Sequence, residues 1–305
     1  MTNSRLKTKI CNLNFKNPLI AASGTVGYGK EYEQFFSLDL LGGISVEGTT
    51  KEKRIGNKSP RIVETSSGIL NSVGLENPGI DKFINVHLPY LSEKNTIIIV
   101  NIAGSSLEEY FYLARRLNET NVDAIEINIS CPNVKNGGIA FGSDIKQVEK
   151  IVVGTRKETK KPIIVKLSPN VTKISDIAKA AEYSGADALS LINTVLGMKI
   201  DINTKKPVLK NNVGGLSGPA ILPIAVRMVW QVKKAVSIPI IGCGGISNFE
   251  DALEIIIAGA SLFQIGTILF KDTNAPKKIL TKLNEWLIDN NIKNISEIVG
   301  SVIDW

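Results

Sequence analysis

Residues 238–270 read IPIIGCGGISNFEDALEIIIAGASLFQIGTILF. An apolar run rich in β-branched residues (238–245) is followed by a segment with the apolar spacing of a helix, and a second apolar run (262–268) follows. A buried strand alternating with an amphipathic helix is the pattern of parallel α/β structure. The helical segment ends at glycine, as helices commonly do. We therefore predict a strand–helix–strand unit with a glycine-rich turn after each strand.

The same alternation extends along most of the 305 residues. Residues 106–119 open with serine and carry glutamate three positions later, which is a capping-box pattern, and residues 175–186 end near glycine. Strands that alternate with helices predict a single (β/α)8 TIM-barrel domain over residues 1–305, preceded by an N-terminal hairpin. A doubly wound open sheet is the alternative, but no GxGxxG motif follows the first strand. The predicted strands are 18–23, 42–48, 96–104, 123–130, 162–168, 188–194, 238–245 and 262–268.

Three longer excursions interrupt the pattern, at residues 49–79, 132–143 and 197–216. The third reads GMKIDINTKKPVLKNNVGGL, and its two short strand-like runs predict a hairpin. All three follow predicted strands, so they lie at the carboxyl-terminal end of the barrel, where barrel enzymes hold their active sites. We therefore expect these excursions to cover a bound ligand.

Composition limits the class of protein. The chain is 43% hydrophobic but only 6% aromatic, which predicts an aliphatic core of buried parallel strands. The net charge is +7, but the lysines are scattered and no basic run is interleaved with aromatics, so nucleic-acid binding is not expected. No apolar run is long enough to cross a bilayer, and the N-terminus lacks a signal-peptide pattern. We therefore expect a soluble, cytoplasmic protein without membrane contact.

The cysteines and the single histidine give no sign of a metal site. Cys11, Cys131 and Cys243 are far apart and have no CxxC spacing, and His87 is expected to be structural. Cys131 lies in EINISCPNVKNGG (126–138), where an apolar run ends. From these residues alone, Cys131 is open to four interpretations: a packed core thiol, a metal ligand, a nucleophile or a base.

Polar residues cluster where the predicted strands end, and buried strands have no packing use for them. Lys166 would meet an anion or an electron-rich ring, or else it would bury its stem and keep its ammonium in water. The amides of Asn71, Asn128 and Asn193 suit a ligand with both donors and acceptors, such as a pyrimidine ring, although each is equally suited to a turn or a cap. The strand-end residues are Ser23, Asn101, Asn128, Cys131, Lys166, Asn193 and Thr194.

Three glycine-containing loops add possible backbone donors. GCGGIS (242–247) and IGT (265–267) close the last two predicted strands, and GLSG (215–218) precedes the helix after the sixth. N–H groups at helix starts bind anions, and this end of a barrel is a recurrent phosphate site. The loops therefore predict phosphate binding, with plain tight turns as the alternative.

Together these motifs resemble the dihydroorotate dehydrogenase family. Cysteine in the SCPN loop is similar to class 1 of that family, whereas the membrane-associated class 2 enzymes use serine. The run CPNVKNGGIAFG is similar to class 1B, a catalytic subunit that pairs with an iron–sulfur flavoprotein. The matching segments, in family order over about residues 15 to 270, are NPLIAASGTVGYG, NSVGLENPG, NISCPNVKNGG, VKLSPN, LINT, GGLSGPAI, IPIIGCGGI and IGT.

The resemblance implies FMN-dependent oxidation of (S)-dihydroorotate to orotate, a step of pyrimidine biosynthesis. It also implies a homodimer within a heterotetramer, whose partner subunit would carry FAD and a 2Fe–2S cluster and pass electrons to NAD. Cys131 would be the base that removes a proton from C5 of the substrate, and Lys166 would stabilise the negative charge of the reduced flavin. FMN would be held by Ser23, Gly48, Asn101, Asn128, Lys166, Ile192, Gly218, Gly244, Gly245, Gly266 and Thr267. The substrate would be held by Asn71, Ser72, Val73, Gly74, Leu75, Asn128, Asn193 and Thr194.

One residue departs from the resemblance. In GGISVEGTT (42–50), Glu47 stands where the family usually has a lysine near the flavin and the substrate. Two carboxylates about 4 Å apart repel by about 4 kcal/mol at an effective dielectric near 20, which is about a thousandfold in binding. Compensation would come from Lys51, Lys53 or Arg54, or from protonation of Glu47. The alternatives are an FMN-binding barrel with impaired or altered activity and a non-flavin barrel that binds a phosphorylated metabolite.

Overall fold

Eight parallel strands close into a barrel in the computed structural model, which describes residues 4–129 and 142–305. The barrel strands follow one another in chain order around the ring, and the last pairs with the first. All eight predicted strands are confirmed, and the open sheet is excluded. In chain order the strands are β1 (Thr8–Ile10), β2 (Leu13–Phe15), β3 (Leu19–Ala21), β4 (Gly43–Ser45), β5 (Ile62–Thr65), β6 (Gly68–Asn71), β7 (Ile97–Ile102), β8 (Ala124–Asn128), β9 (Ile163–Lys166), β10 (Ala188–Leu191), β11 (Val195–Gly197), β12 (Ile200–Asp201), β13 (Lys206–Pro207), β14 (Gly214–Ser217), β15 (Ile240–Cys243) and β16 (Leu262–Ile265). The barrel itself consists of β3, β4, β7, β8, β9, β10, β15 and β16.

Helices follow most of the barrel strands, and side chains cap the N-termini of some of them. The side chain of Asn248 accepts a hydrogen bond from the Asp251 N–H at 2.8 Å, and Ser106 accepts from the Glu109 N–H at 3.4 Å. The predicted capping box is only half formed, because the Glu109 carboxylate accepts from the Ser105 N–H. The α-helices are α1 (Ile80–Lys82), α2 (Leu88–Ser92), α3 (Leu107–Asn118), α4 (Ile145–Glu158), α5 (Ile174–Tyr183), α6 (Leu222–Lys233), α7 (Phe249–Ala258), α8 (Ile268–Lys271) and α9 (Ala275–Asp289).

The inside of the barrel has two layers of different character. Its lower layer is aliphatic, and the N-terminal hairpin β1–β2 closes that end with Ile10 and Phe15. Side chains two residues further along each strand point to the same face, and there the inward side chains become polar. The lower layer contains Ile99, Ala124, Ile164, Ala188, Ile241 and Leu262, and the residues two positions on are Asn101, Glu126, Lys166, Ser190, Cys243 and Gln264. The lower layer therefore provides the apolar packing inside the barrel, and the layer above it provides the polar side chains.

The excursions 49–79 and 197–216 form a second sheet beside the barrel mouth. β12 and β13 pair as an antiparallel hairpin, as predicted. The sequence did not predict the four-stranded antiparallel sheet in the order β11–β14–β6–β5, which joins the two excursions. Most of the second excursion, 132–143, lies outside the described residues, so its role as a cover stays a prediction. Among residues 4–129 and 142–305, no helix is both long enough and apolar enough to cross a membrane.

Candidate active site

A cavity of about 570 Å³ opens at the carboxyl-terminal ends of the barrel strands. Small-molecule sites typically enclose about 300–1,000 Å³, so this volume suits a ligand or cofactor. One wall comes from the second sheet, where Ile62 and Ile69 border the cavity, and the floor comes from the polar layer of the barrel. The fold therefore places the polar layer of the barrel under an open pocket.

Nearly all the residues predicted from sequence surround this one cavity. Ser72 is the exception: its side chain is buried outside the wall, and its N–H donates to the Arg61 carbonyl at 2.8 Å. The Ser72 side chain is therefore not placed to contact a substrate in this cavity directly. Cys131 lies outside the described residues, so its predicted position stays a prediction. The predicted residues that border the cavity are Ser23, Gly48, Asn71, Val73, Gly74, Leu75, Asn101, Asn128, Lys166, Ile192, Asn193, Thr194, Gly218, Gly244, Gly245, Gly266 and Thr267.

Lys166 brings a buried positive charge to the floor of the cavity. Its side chain is only 5% exposed, so the ammonium does not reach out to bulk water. The Nζ atom lies 3.5 Å from Ser23 Oγ and 3.5 Å from Gln264 Oε1. It also lies 3.9 Å from a carboxylate oxygen of Glu126. The chain therefore bears the cost of burying this cation, which is typical of a functional lysine.

Glu126 is the functional-site candidate that the sequence analysis missed. It is completely buried on β8, two residues before Asn128. Burial of a carboxylate is costly unless hydrogen bonds satisfy it, and here four neutral side chains do so. Its oxygens accept from Ser45 Oγ at 3.0 Å, Asn101 Nδ2 at 2.6 Å, Ser190 Oγ at 2.7 Å and Gln264 Nε2 at 3.1 Å. The available signal was a lone charge in the middle of the apolar strand AIEIN.

The environment of Glu126 favours its charged form. Burial by itself raises the pKa of this carboxyl, but Lys166 and the hydrogen bonds from its neighbours outweigh burial and leave the pKa below its usual value. The network also orients two predicted site residues. A carboxylate can only accept, so the Asn101 amide directs its NH2 to Glu126 and its oxygen to Asn128 Nδ2, 3.2 Å away. Tyr110 donates to the Asn128 carbonyl at 2.8 Å.

The glycine loops form a second polar region of the cavity wall. Gly244 and Gly245 have φ of 126° and 82°, a region that side chains rarely adopt. A Cβ on Gly245 would lie 2.5 Å from the Leu222 nitrogen, so only glycine fits there. Among the described residues, no acceptor takes the N–H groups of Gly245, Gly266 and Thr267. Unused N–H groups beside a cavity suit an anion such as a phosphate.

Glu47 adds a carboxyl to the cavity wall. Burial raises its pKa to about 7, with the charge of Glu76 adding to the shift, while the Gly48 N–H and Lys166 oppose it. None of the three cations considered as compensation borders the cavity. Lys51 lies over the Tyr112 ring, and Arg54 donates to Ser105 Oγ at 2.7 Å. The geometry therefore supports compensation by protonation of Glu47 and not by pairing with one of these cations.

Two residues flagged in the sequence lie elsewhere. The His87 ring stacks on Tyr28 with centroids 3.9 Å apart, which is a packing contact on the barrel exterior. Cys11 lies in the N-terminal hairpin turn and donates to the Asp187 carbonyl at 3.3 Å. Cys243, in contrast, borders the cavity at the end of β15, and burial raises its pKa, so its thiol stays neutral.

Comparisons with known proteins agree with this architecture. A sequence model described as "Dihydroorotate dehydrogenase" matches residues 5–287. The chain is 52% identical over 297 residues to a Desulforamulus reducens protein named "Dihydroorotate dehydrogenase B (NAD(+)), catalytic subunit", with 97% of this chain and 98% of that protein covered. Proteins of the same name from Thermoanaerobacter pseudethanolicus and Bacteroides fragilis are 50% and 51% identical, with the same coverage. The chain therefore belongs to the dihydroorotate dehydrogenase family.

Proposed function

We propose that this protein oxidises (S)-dihydroorotate to orotate with bound FMN and passes the electrons to a partner subunit that carries FAD and a 2Fe–2S cluster, and so to NAD. One observation carries the proposal: a single cavity combines a buried cation, a set of amides and a glycine-lined group of unused N–H donors. The names of the relatives, each a catalytic subunit, support a partner protein. We further propose a homodimer within a heterotetramer in the cytoplasm.

The residues around the cavity fit FMN. The phosphate would be held by the N–H groups of Gly245, Gly266 and Thr267, and a Cβ on Gly245 would displace this loop by clashing with the Leu222 backbone. Lys166 would lie at the pyrimidine edge of the flavin ring, where negative charge develops on reduction. Asn101 and Asn128, oriented by Glu126, would offer hydrogen bonds to the same ring. Ser23, Gly48, Ile192, Gly218 and Gly244 would complete this site.

The substrate side of the cavity follows from the remaining residues. Asn71 on β6 and the Asn193–Thr194 pair after β10 would hold the amides of the substrate ring, with Val73 to Leu75 against it. Oxidation removes a proton from C5 and a hydride from C6, which leaves a C5=C6 double bond. Bound FMN supplies the hydride acceptor. Cys131 would take the C5 proton, since a thiol has an ordinary pKa of about 8.5 and needs only modest tuning to act as a base.

An absorption spectrum and one dye-linked assay test the proposal. The purified chain should carry flavin absorption and should reduce an artificial dye with dihydroorotate. Together with the electron-transfer subunit it should reduce NAD. A colourless protein, after expression in flavin-rich medium, would contradict the proposal and favour a non-flavin barrel that binds a phosphorylated metabolite.

A second candidate is an FMN-binding barrel of this family with impaired or altered activity. The observation that favours it is the Glu47 carboxyl on the cavity wall. Normal turnover of dihydroorotate by the purified chain would dispose of it. Poor turnover that recovers when Glu47 is changed would support it.

The pH dependence of substrate binding should report on Glu47. Its pKa is raised to about 7, so the carboxyl is neutral below that pH and negative above it. The KM for the anionic substrate should therefore rise as the pH increases from 6 to 8, by up to about tenfold per 1.4 kcal/mol of repulsion. In Glu47→Gln the rise should vanish. Steady-state kinetics across this range measure both, and an equal rise in the two proteins would assign the effect to another group.

Gly245→Ala should empty the flavin site. The side chain would face both the left-handed φ of 82° and a backbone atom 2.5 Å away. We expect loss of FMN on purification and a fall of about 3 kcal/mol in the free energy of unfolding. Gly27→Ala is the matched control, because Gly27 also has positive φ, 57°, but meets no atom closer than 3.9 Å. That variant should lose about 1 kcal/mol and keep FMN. Equal FMN retention in both variants would contradict the proposed cradle.

A further inference from the structure

We propose that Glu126 is a positioning residue that keeps Lys166 charged beneath the redox cofactor, and thereby fixes the number of protons bound when the cofactor is reduced. The inference rests on the proposed function, because it takes the cofactor to be FMN. It goes further by assigning a role to a residue that lies below the cavity wall.

Both members of the pair are almost completely buried, so each charge depends strongly on the other. Glu126 is completely buried and the Lys166 side chain is 5% exposed. Their charged atoms are 3.9 Å apart, without a direct hydrogen bond. Gln264 bridges them: its Nε2 donates to Glu126 at 3.1 Å, and its Oε1 lies 3.5 Å from Lys166 Nζ. A buried lysine that loses its anionic partner also loses its preference for the protonated form.

The other hydrogen bonds to Glu126 stabilise its charge without cancelling it. Ser45, Asn101 and Ser190 are neutral donors, so they favour the carboxylate and leave its negative charge in place. Lys166 is the cation that shapes the pKa of Glu126. A neutral glutamine would turn its NH2 group toward two of these donors, so the arrangement is suited to a carboxylate, which accepts at both oxygens. The geometry instead maintains a full negative charge directly under one ammonium.

Few other ionisable groups of the described chain face this pair. Cys243, on β15, interacts electrostatically with both Lys166 and Glu126, and burial keeps its thiol neutral. Glu47, after β4, interacts with Lys166 and ionises at a pH of about 7. The serines, Asn101 and Gln264 do not titrate. Above pH 8 these other groups do not change charge, so the charge of Lys166 there depends on Glu126.

A charged Lys166 sets the proton count of reduction. Two electrons and one proton convert oxidised flavin to a reduced form with one negative charge, which the ammonium stabilises. Without Glu126, Lys166 would be neutral over oxidised flavin and would bind a proton when the negative charge appears. Two protons would then accompany the two electrons. The extra proton is thus a direct sign that Lys166 was neutral beforehand.

Glu126→Gln tests this through the pH dependence of the flavin reduction potential, followed by spectroelectrochemical titration from pH 8 to 9.5. The parent should take up one proton per two electrons, and Glu126→Gln should take up two. Ser190→Ala removes a neutral donor at 2.7 Å and leaves the charge, so it should keep the parent's count. The same measurements are then repeated with Glu47→Gln added to every protein, which removes the other nearby carboxyl. The difference of one proton between the parent and Glu126→Gln should remain.

Glu126→Gln combined with Lys166→Met identifies the group that binds the extra proton. This double variant should return to one proton. Its apoprotein should resist urea better than Glu126→Gln alone, because the buried lysine that lost the Glu126 carboxylate is also removed. If Glu126→Gln holds no FMN, its proton count cannot be measured and the urea comparison tests the inference instead. A double variant that is no more stable in urea than Glu126→Gln overturns the inference. An unchanged proton count in FMN-loaded Glu126→Gln also overturns it. A parent protein without FMN contradicts the proposed function instead.

Discussion

Replacing Glu47 with lysine is expected to raise kcat/KM for dihydroorotate by up to about a thousandfold above pH 8. The carboxyl borders the cavity and is ionised in that range. Its repulsion of a substrate carboxylate at about 4 Å is about 4 kcal/mol at an effective dielectric near 20. At pH 6 the gain should be much smaller, because Glu47 is then protonated. Steady-state assays of both proteins at the two pH values measure the effect.

Glu47→Gln separates loss of the negative charge from gain of a positive one. It should recover part of the gain above pH 8 and little at pH 6. Glu76→Gln is a matched control, since Glu76 is an exposed carboxylate at the same cavity, paired with Arg61. It should lower the pKa of Glu47 slightly, because its charge helps to raise it. A lysine variant with equal or lower kcat/KM at pH 8 would mean that the acid is compatible with catalysis as it stands.

Replacing Cys131 with alanine is expected to slow reduction of the bound flavin by dihydroorotate by about 10²- to 10⁴-fold. General base catalysis contributes about that much, and the proposal assigns the C5 proton to this thiol. Stopped-flow measurement of flavin bleaching isolates this step from later electron transfer. FMN binding should be unchanged, because the cradle consists of other residues.

Cys11→Ala is the control for removing a thiol elsewhere. Cys11 lies in the hairpin that closes the opposite end of the barrel, where it donates to the Asp187 carbonyl. Its removal should leave the rate of flavin reduction unchanged. If Cys131→Ala reduces its flavin as fast as Cys11→Ala, the base is another group, and Cys243 at the cavity wall becomes the next residue to change.

The barrel could be predicted from sequence because its signals are local. Each strand is a short apolar run, and helix ends such as Asn248 are marked by side chains that cap within three residues. The pairing of β14 with β6 was not predictable, because it joins Gly215 to Asn71, which are far apart in the chain. Ser72 looked equivalent to its neighbours in NSVGL. Its exclusion from the cavity follows from strand alternation at the end of β6.

The candidate site, too, was only partly predictable from the sequence. Lys166 and Asn128 were identifiable because polar residues at strand ends have no packing use. Glu126 was overlooked because its partners, Ser190 and Gln264, come from strands that meet it only in the closed barrel. The surroundings of Glu47 also needed the fold, since only the fold shows Lys51 and Arg54 directed away from the cavity.

The sheet β11–β14–β6–β5 has a consequence for how the two halves of the ligand site respond to each other. Asn71 on β6 faces Gly215 on β14, and Gly218 follows β14 directly. The wall proposed for the substrate and the Gly218 loop proposed for the cofactor are therefore joined by the backbone hydrogen bonds of one sheet. Neither can shift far without straining the other. A ligand that orders the Gly218 loop would therefore also align the wall that carries Asn71.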